Sequence, residues 1–291
     1  MSTKRVVAVE SPDESACTVN MTHGATITSL HITGEELMAR GFKPQTVLTR
    51  DSSFEDSGLI GWVECFPSIA AQPDHDRPIA DHGELWFREW AVTGQAPGEL
   101  RLQCHLPEWD VVASKRVGWS GGALEVSTSL SLAGGESLHY VLASHPLLAC
   151  DDTMWLRLGD SDVRWESSAG WSQQPRRLND AWPADEDGRR WWRDLPDRSF
   201  AKVFVPWPET GVTFGYADGA WTMDWADAPP LAFLGLWLNK LAFPSESPLC
   251  HWAPEPTIGS ADSLSMAEEL GTHGVLQPGD SVTMTVRISP A

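Results

Sequence analysis

The chain has 291 residues, of which 42% are hydrophobic and 21% are charged, and its formal net charge is -19 at pH 7. This composition is typical of a globular protein and excludes collagen-like, coiled-coil and disordered chains. The negative charge repels phosphate backbones and anionic lipids, so we expect neither a nucleic acid nor a membrane as a partner. Because all-β folds of this length often form one unit, we expect a single domain over residues 1–291.

The first ten residues contain Lys4 and Arg5 but no apolar stretch and no cleavage site of small residues. No later run approaches the length that crosses a membrane. The five cysteines are an odd number without a C-x-x-C pair, which is typical of reduced thiols. We predict a cytoplasmic, unprocessed protein, and we take it to be a monomer or a homodimer.

Short runs rich in β-forming residues and bounded by turn residues recur along the chain, as is typical of strands. These runs span residues 5–9, 25–32, 85–92, 100–106, 111–119, 123–132, 137–144, 201–205, 211–216, 231–238 and 281–288. In 123–132, Leu124, Val126 and Leu130 alternate with polar residues, which predicts a strand with one buried face. With weaker runs included, we expect about fifteen strands.

Helical periodicity is scarce, and one short helix is predicted for residues 263–270. Asp262 is its expected N-cap, Ser265 and Glu268 have capping-box spacing, and Gly271 follows its end. Residues 167–198 show no period, so we expect a long loop over one face. The pattern predicts an all-β fold, a large antiparallel β-sandwich with one or two short helices.

Histidines and acids concentrate in two stretches that precede a predicted strand, Asp74-His-Asp76 and Asp81-His-Gly-Glu-Leu-Trp86. Metal binding by His75 and His82 is one interpretation, although neither an H-x-H nor an H-E-x-x-H arrangement is present. Recognition of sugar hydroxyls by His82 is the other. We predict no metal site and no cofactor, and neither a G-x-S-x-G elbow nor a phosphate loop occurs.

Two residues are candidates for proton transfer. His145 ends a predicted strand directly before Pro146, which favours extended backbone, and an ordinary histidine titrates near neutral pH. Glu255 lies between two prolines that hold its backbone extended, and the neighbouring Trp252 can provide an apolar wall for a general base. Taken singly, each residue also has a non-catalytic interpretation: His145 as a structural histidine and Glu255 as a solvated loop glutamate.

Tryptophan is unusually abundant, with 16 residues against two tyrosines. Indole rings stack on the C–H faces of sugars while their N–H groups reach hydroxyls, so this abundance favours carbohydrate binding. Most of the tryptophans are nevertheless expected to pack in the core.

Several motifs in order along the chain resemble the galactose mutarotase-like (aldose 1-epimerase) superfamily, in particular its hexose-epimerase-like branch. The motifs are Gly61-Trp-Val-Glu-Cys-Phe-Pro-Ser68, Asp81-His-Gly-Glu-Leu-Trp86 with Trp90, Ser144-His-Pro-Leu147, Ala201-Lys-Val-Phe204, Glu255-Pro-Thr-Ile-Gly-Ser-Ala-Asp-Ser263 and Leu276-Gln-Pro-Gly279. The resemblance implies a β-sandwich whose concave face holds a sugar, and an isomerase that interconverts α and β anomers without a cofactor.

Residue by residue, the resemblance implies that Glu255 is the general base on the C1 hydroxyl, that His145 is the general acid on the ring oxygen, and that His82 holds the sugar. The predicted sugar-binding residues are His82, Glu64, Trp62, Trp86, Trp237 and Trp252. The chain departs from the family in two places. It lacks the arginine that follows the His-Gly pair in phosphate-binding members, with Arg88 as the nearest substitute, and the aspartate that many members use has no assignable position.

Two other functions stay open on the sequence. A non-catalytic carbohydrate-binding or sensing protein would keep Trp62, Trp86 and Trp252 for stacking without needing an acid–base pair. A lyase or hydrolase would use a carboxylate pair such as Glu84 and Glu255, separated by the distance that glycosidases require.

Overall fold

The computed structural model describes residues 6–41, 47–58, 60–184, 188–225 and 227–291. These ranges contain 23 strands, one α-helix and two 3₁₀ helices. The strands are β1 Val6–Glu10, β2 Ala16–Asn20, β3 Thr26–Ile32, β4 Glu35–Glu36, β5 Trp62–Cys65, β6 Ala91–Ala96, β7 Glu99–Leu106, β8 Val111–Ser120, β9 Ala123–Leu132, β10 Leu138–Tyr140, β11 Leu142–Pro146, β12 Leu148–Ala149, β13 Trp155–Arg157, β14 Ser161–Asp162, β15 Arg164–Ala169, β16 Arg177–Leu178, β17 Ser199–Pro206, β18 Val212–Gly215, β19 Ala220–Asp224, β20 Ala232–Lys240, β21 Cys250–Ile258, β22 Gly274–Leu276 and β23 Ser281–Pro290. The helix α1 spans Leu264–Glu269, and the 3₁₀ helices span Glu55–Ser57 and Pro107–Trp109.

Two large antiparallel sheets form the sandwich. The first has 11 strands in the order β1-β2-β3-β5-β11-β21-β20-β17-β15, with β4 beside β3 and β12 beside β21. The second has eight strands in the order β13-β18-β19-β23-β9-β8-β7-β6. The predicted all-β sandwich is therefore confirmed. The single-domain organisation stays a prediction.

Alternating side chains fill the space between the sheets. In β7, Leu100, Leu102, Cys104 and Leu106 are buried, whereas the alternate residues Arg101, Gln103 and His105 are exposed, and β9 shows the alternation predicted for 123–132. The interior also contains an ion pair. Lys115 of β8 contacts Glu64 of β5 with 2.5 Å between Nζ and Oε2, and both side chains are fully buried.

The structure corrects several predicted strand bounds. Residues 85–90 form turns, because the indoles of Trp86 and Trp90 donate to the main-chain oxygens of Asp81 and Leu85 and fold the segment on itself. Strand β6 begins only at Ala91. The run 137–144 is divided into β10 and β11, which pair with different strands.

The remaining corrections concern short elements. Parts of the predicted loop 167–198 belong to strands β15 and β16, whereas its residues 185–187 lie outside the described residues, as does Arg5 of the first predicted strand. The strand count exceeds fifteen because several strands of two or three residues are too short to show a period.

The predicted helix is present, but its N-cap differs. The backbone N–H of Met266 donates to Ser263 Oγ at 3.0 Å, so Ser263 and not Asp262 is the cap. The Asp262 carboxylate is consequently free for another role. In the described part of the chain, no helix is long and apolar enough to span a membrane.

Candidate active site

Four neighbouring strands of the 11-stranded sheet present polar side chains on the face opposite the second sheet. Alternate residues of a strand share a face, and so do directly paired residues. Register therefore places His145 of β11, Glu255 and His251 of β21, Trp237 of β20 and Lys202 of β17 on one side. Four strands from three separate parts of the sequence thus bring their side chains to the centre of the sheet.

A cavity of about 290 Å³ lies on this face. Its lining combines His145, Lys202 and Trp237 from the sheet with His82 and Asp262 from loops. Glu255 is fully buried and does not itself line the cavity, but it contacts both His145 and Lys202 from beneath. The volume is near the lower end of the range for small-molecule sites, which suits one small molecule.

An acid–base cluster forms the floor of the cavity. His145 Nε2 lies 3.4 Å from Glu255 Oε1, and Lys202 Nζ lies 2.5 Å from Glu255 Oε2. The same ammonium lies 3.5 Å from Asp262 Oδ1. Among the described residues, His145 Nδ1, Glu255 Oε1 and Asp262 Oδ1 are buried atoms without a hydrogen-bond partner.

Burial and neighbouring charges set the protonation states of the cluster. Burial, reinforced by His82 and Lys202, lowers the pKa of His145 well below its usual 6.5. Burial by itself lowers the pKa of Lys202, but the carboxylates of Asp262 and Glu255 outweigh it and raise that pKa above its usual value. Lys202 is therefore a fixed positive charge, whereas burial raises the pKa of Asp262, an effect that Lys202 only partly offsets.

His82 is held by its neighbours in a defined orientation. Its Nδ1 lies 2.8 Å from Asp81 Oδ1, and Asp81 Oδ2 accepts the backbone N–H of Phe54 at 2.8 Å. The Phe54 ring stacks on the imidazole with 4.0 Å between centroids. Burial alone would raise the pKa of Asp81, but the hydrogen bond to His82 and the charge of that imidazole outweigh burial and lower the pKa of Asp81. With Nδ1 on the carboxylate, Nε2 of His82 is left for a ligand.

The His-Gly pair has a backbone reason. His82 and Gly83 both have positive φ, at 56° and 76°, and a Cβ on residue 83 would lie 2.1 Å from the carbonyl oxygen of Phe66. The turn also bonds His82 N to Ile69 O and Glu84 N to Phe66 O. Glycine is thus needed directly after His82, and a histidine held in left-handed backbone is a feature that clusters at functional sites.

One wall of the cavity is formed by His251 and Trp237. The indole Nε1 of Trp237 donates to His251 Nε2 at 3.2 Å, and Asn239 packs beside the same imidazole. Burial lowers the pKa of His251 to about 3, because a proton on the ring would be both desolvated and close to His145. His251 is therefore neutral and positions Trp237.

The predicted site residues divide into two groups. The structure brings His145, Glu255, His82 and Trp237 together around one cavity, and their roles stay predictions. It places four predicted sugar contacts elsewhere, namely Trp62, Glu64, Trp86 and Trp252, which are buried and absent from the lining.

The physical reason for these corrections is the side of the sheet on which each residue lies. Trp62 donates to Ser144 Oγ, Glu64 pairs with Lys115 between the sheets, and Trp252 packs on Phe214 of the second sheet. Trp86 is enclosed in its own turn. Trp252 therefore provides no wall for Glu255, because an odd number of positions separates the two in one strand.

Glu84 does not join the cavity either. Its buried carboxylate bonds Arg50 Nε at 3.0 Å and lies 3.3 Å from an Arg88 nitrogen. The predicted alternative of a Glu84–Glu255 carboxylate pair therefore lacks a shared cavity, and Arg88 is engaged rather than available for phosphate. In the described residues no three His, Cys, Asp or Glu side chains converge as a metal-ligand set.

Sequence reasoning missed Asp81, Lys202 and Asp262. A signal existed for Lys202, since a lysine within the apolar run 200–205 must find a partner once buried. Asp81 adjoins His82 in the motif. Asp262 was hidden by its plausible role as a helix cap, which Ser263 takes instead.

Comparison with solved structures defines the class of fold, that of galactose mutarotase-like proteins. A candidate aldose 1-epimerase from Escherichia coli K12 superposes with a TM-score of 0.70 at 17% identity, covering 98% of this chain and 99% of that chain. The galactose mutarotase related enzyme from Lactobacillus acidophilus superposes with a TM-score of 0.67 at 13% identity, covering 98% of this chain and 97% of that chain. A galactose mutarotase-like protein from Lactobacillus casei superposes with a TM-score of 0.65 at 16% identity, covering 98% of this chain and 100% of that chain.

At these identities the likeness establishes the fold alone. No family model and no curated protein matches the chain.

Proposed function

We propose that the protein is an aldose 1-epimerase that interconverts the α and β anomers of a free monosaccharide. The observation that carries the proposal is the cavity floor, where an imidazole and a carboxylate approach to 3.4 Å. Around them, His145 Nδ1, Glu255 Oε1 and Asp262 Oδ1 lack hydrogen-bond partners among the described residues. Buried polar atoms are normally satisfied, so this cluster favours a ligand rich in hydroxyls.

The chemistry needs one proton removed and one added. Glu255 takes the proton of the C1 hydroxyl while protonated His145 donates to the ring oxygen, the bond between C1 and that oxygen breaks, and an aldehyde forms. After rotation about the C1–C2 bond, the two groups exchange roles and the ring closes on the other face. The reactive form is therefore the pair with one proton, as imidazolium and carboxylate.

Lys202 governs access to the base. Its ammonium covers Glu255 Oε2 at 2.5 Å and also lies 3.5 Å from Asp262. When the ammonium turns toward Asp262 it remains paired, and the carboxylate of Glu255 becomes available to a hydroxyl. His82 Nε2 and the Trp237 ring then provide a hydrogen bond and an apolar surface for the sugar.

The charge of the lining favours a neutral sugar. Among the described lining residues, Glu55, Asp81 and Asp262 are acidic and Lys202 is the lysine, already paired with two carboxylates. A phosphate or sugar carboxylate would meet net negative charge there. We therefore assign a free aldose rather than a sugar phosphate, and the cavity volume suits a single sugar unit.

Exchange NMR of anomers across a panel of neutral aldoses tests the proposal. We expect the wild type to accelerate exchange for at least one aldose, and Glu255→Gln and His145→Ala each to lose about 10²–10⁴-fold of that acceleration. Glu64→Gln is the matched control, because it makes the same change in an ion pair of equal length on the opposite face. It should retain activity if folded.

No acceleration over the whole panel would refute the epimerase. Calorimetric binding of an aldose without acceleration would then identify the alternative, a sugar-binding protein on the same fold.

A further inference from the structure

Two thiols face each other outside the cavity. Cys150 Sγ and Cys250 Sγ are 2.8 Å apart, and each residue adjoins the paired residues Ala149 and His251 of the antiparallel strands β12 and β21. Both cysteines are half-buried, so a small reagent can reach them. Sulfur atoms at this distance need to move by less than about 1 Å to reach bonding distance.

We propose that Cys150 and Cys250 form a redox-active pair that a small disulfide, such as oxidised glutathione, converts reversibly into a cross-strand disulfide.

The surroundings assign the order of the steps. Either sulfur can donate in this contact, but Lys240 lies beside Cys250, and a hydrogen bond from Cys150 together with the charge of Lys240 lowers the pKa of Cys250 below that of an ordinary thiol. The same bond raises the pKa of Cys150. Lys240 is the residue of β20 paired directly with Cys250. Cys250 is therefore the attacking thiolate, since thiolates and not thiols react with disulfides.

The exchange balances without another reagent. The Cys250 thiolate attacks one sulfur of oxidised glutathione, forms a mixed disulfide and releases one glutathione thiolate. Cys150 then loses its proton to solvent and attacks the Cys250 sulfur, which expels the second glutathione. Two protein thiols are oxidised, one glutathione disulfide is reduced, and excess reduced glutathione reverses both steps.

The other cysteines are protected by burial. Cys17, Cys65 and Cys104 are all buried. Burial raises the pKa of Cys17 to about 12, and it also raises the pKa values of Cys65 and Cys104. Oxidation should therefore be selective for the half-buried pair.

The disulfide would act as a staple within the sheet. It joins positions 100 residues apart and closes a long loop of the unfolded chain, which restricts the unfolded state strongly. We expect the thermal midpoint to rise by roughly 5–15 °C on oxidation, and to return on reduction.

Intact-mass spectrometry of the folded full chain after incubation with oxidised glutathione tests the pair directly. We expect the loss of two hydrogens, a linked peptide containing Cys150 and Cys250, and alkylation of the remaining three cysteines only after unfolding. A small dithiol incubated in parallel serves as the positive control. If it is fully oxidised while Cys150 and Cys250 stay reduced, the proposal is overturned. A disulfide that involves another cysteine would overturn it as well.

Serine variants test the order of the steps. Cys150→Ser should accumulate one glutathione adduct on Cys250, whereas Cys250→Ser should stay largely unmodified. Equal adduct formation in both variants would contradict the assignment of Cys250 as the attacking residue. The wild-type peptide map decides the pairing if either variant fails to fold.

Discussion

Lys202 offers a sharp test of the acid–base cluster. Its ammonium lies 2.5 Å from the Glu255 carboxylate, with both side chains buried. Lys202→Met preserves most of the side-chain volume but removes the charge. The carboxylate then loses its cation, and His145 loses a positive neighbour that contributes to its lowered pKa. Both changes favour the protonated form, of the Glu255 carboxylate in one case and of His145 in the other. We therefore expect the acidic and the basic limb of the pH profile of kcat/KM both to move to higher pH.

The size of the shift follows from the charges. Two unit charges about 4 Å apart attract by about 4 kcal/mol at an effective dielectric constant of about 20. Because about 1.4 kcal/mol corresponds to one pH unit, the acidic limb should move up by one to three units after relaxation. Because the pKa of His145 lies well below 6.5 in the wild type, the matching shift of the basic limb should raise the protonated fraction of His145 near neutral pH, so kcat/KM of Lys202→Met should decline only at a higher pH than that of the wild type.

Anomer exchange measured by NMR across the pH range is the assay. Lys115→Met is the matched control, since Lys115 contacts Glu64 at the same 2.5 Å but between the sheets. Breaking either buried pair should cost about 3–5 kcal/mol of stability, measured by urea unfolding. Only Lys202→Met should move the pH profile. A Lys202→Met profile that superimposes on the wild type, or an equal shift in Lys115→Met, would refute the reasoning.

Three further predictions concern the walls of the site. Asp81→Asn weakens the bond that orients His82, so KM for the aldose should rise about tenfold with a smaller change in kcat, as measured by progress curves. Gly83→Ala places a Cβ against the Phe66 carbonyl and should lower the free energy of unfolding by more than about 2 kcal/mol in urea. His251, with its folded pKa near 3 and an unfolded pKa of 6.5, binds its proton more readily when unfolded. Stability should therefore fall as pH decreases through 6.5 toward 3, by about 3 kcal/mol between about pH 7 and pH 4 from this residue.

Each of these has a result that contradicts it. An unchanged KM in Asp81→Asn would show that His82 does not need its carboxylate. A Gly83→Ala variant as stable as the wild type would mean that the turn can rearrange. If His251→Gln leaves the acid dependence of stability unchanged, the neutral buried imidazole is not its source, and His145, whose pKa shifts in the same direction, becomes the candidate.

Local patterns were sufficient for the general architecture. Alternation along 123–132 predicts a strand with one buried face, since side chains of a strand point to opposite sides at every step. The prolines around Glu255 predict the extended backbone found in β21. Prediction from local sequence is wrong where side-chain contacts determine the backbone conformation. In residues 85–90, hydrogen bonds from two tryptophan indoles fold a predicted strand into turns.

The sequence by itself determined an all-β sandwich and made His145 and Glu255 candidates, and the family resemblance joined them as a predicted acid–base pair. Only the tertiary structure decided which carboxylate and which tryptophan lie on the cavity side of the sheet. Glu64 and Glu255 both form ion pairs of 2.5 Å with lysines, but they lie on opposite faces of one sheet. The packing of the two sheets decides which of these faces is covered and which carries the cavity. Lys202 and Asp262 reach Glu255 through pairing between β17, β20 and β21 and through the cap at Ser263, which are contacts that no single segment encodes.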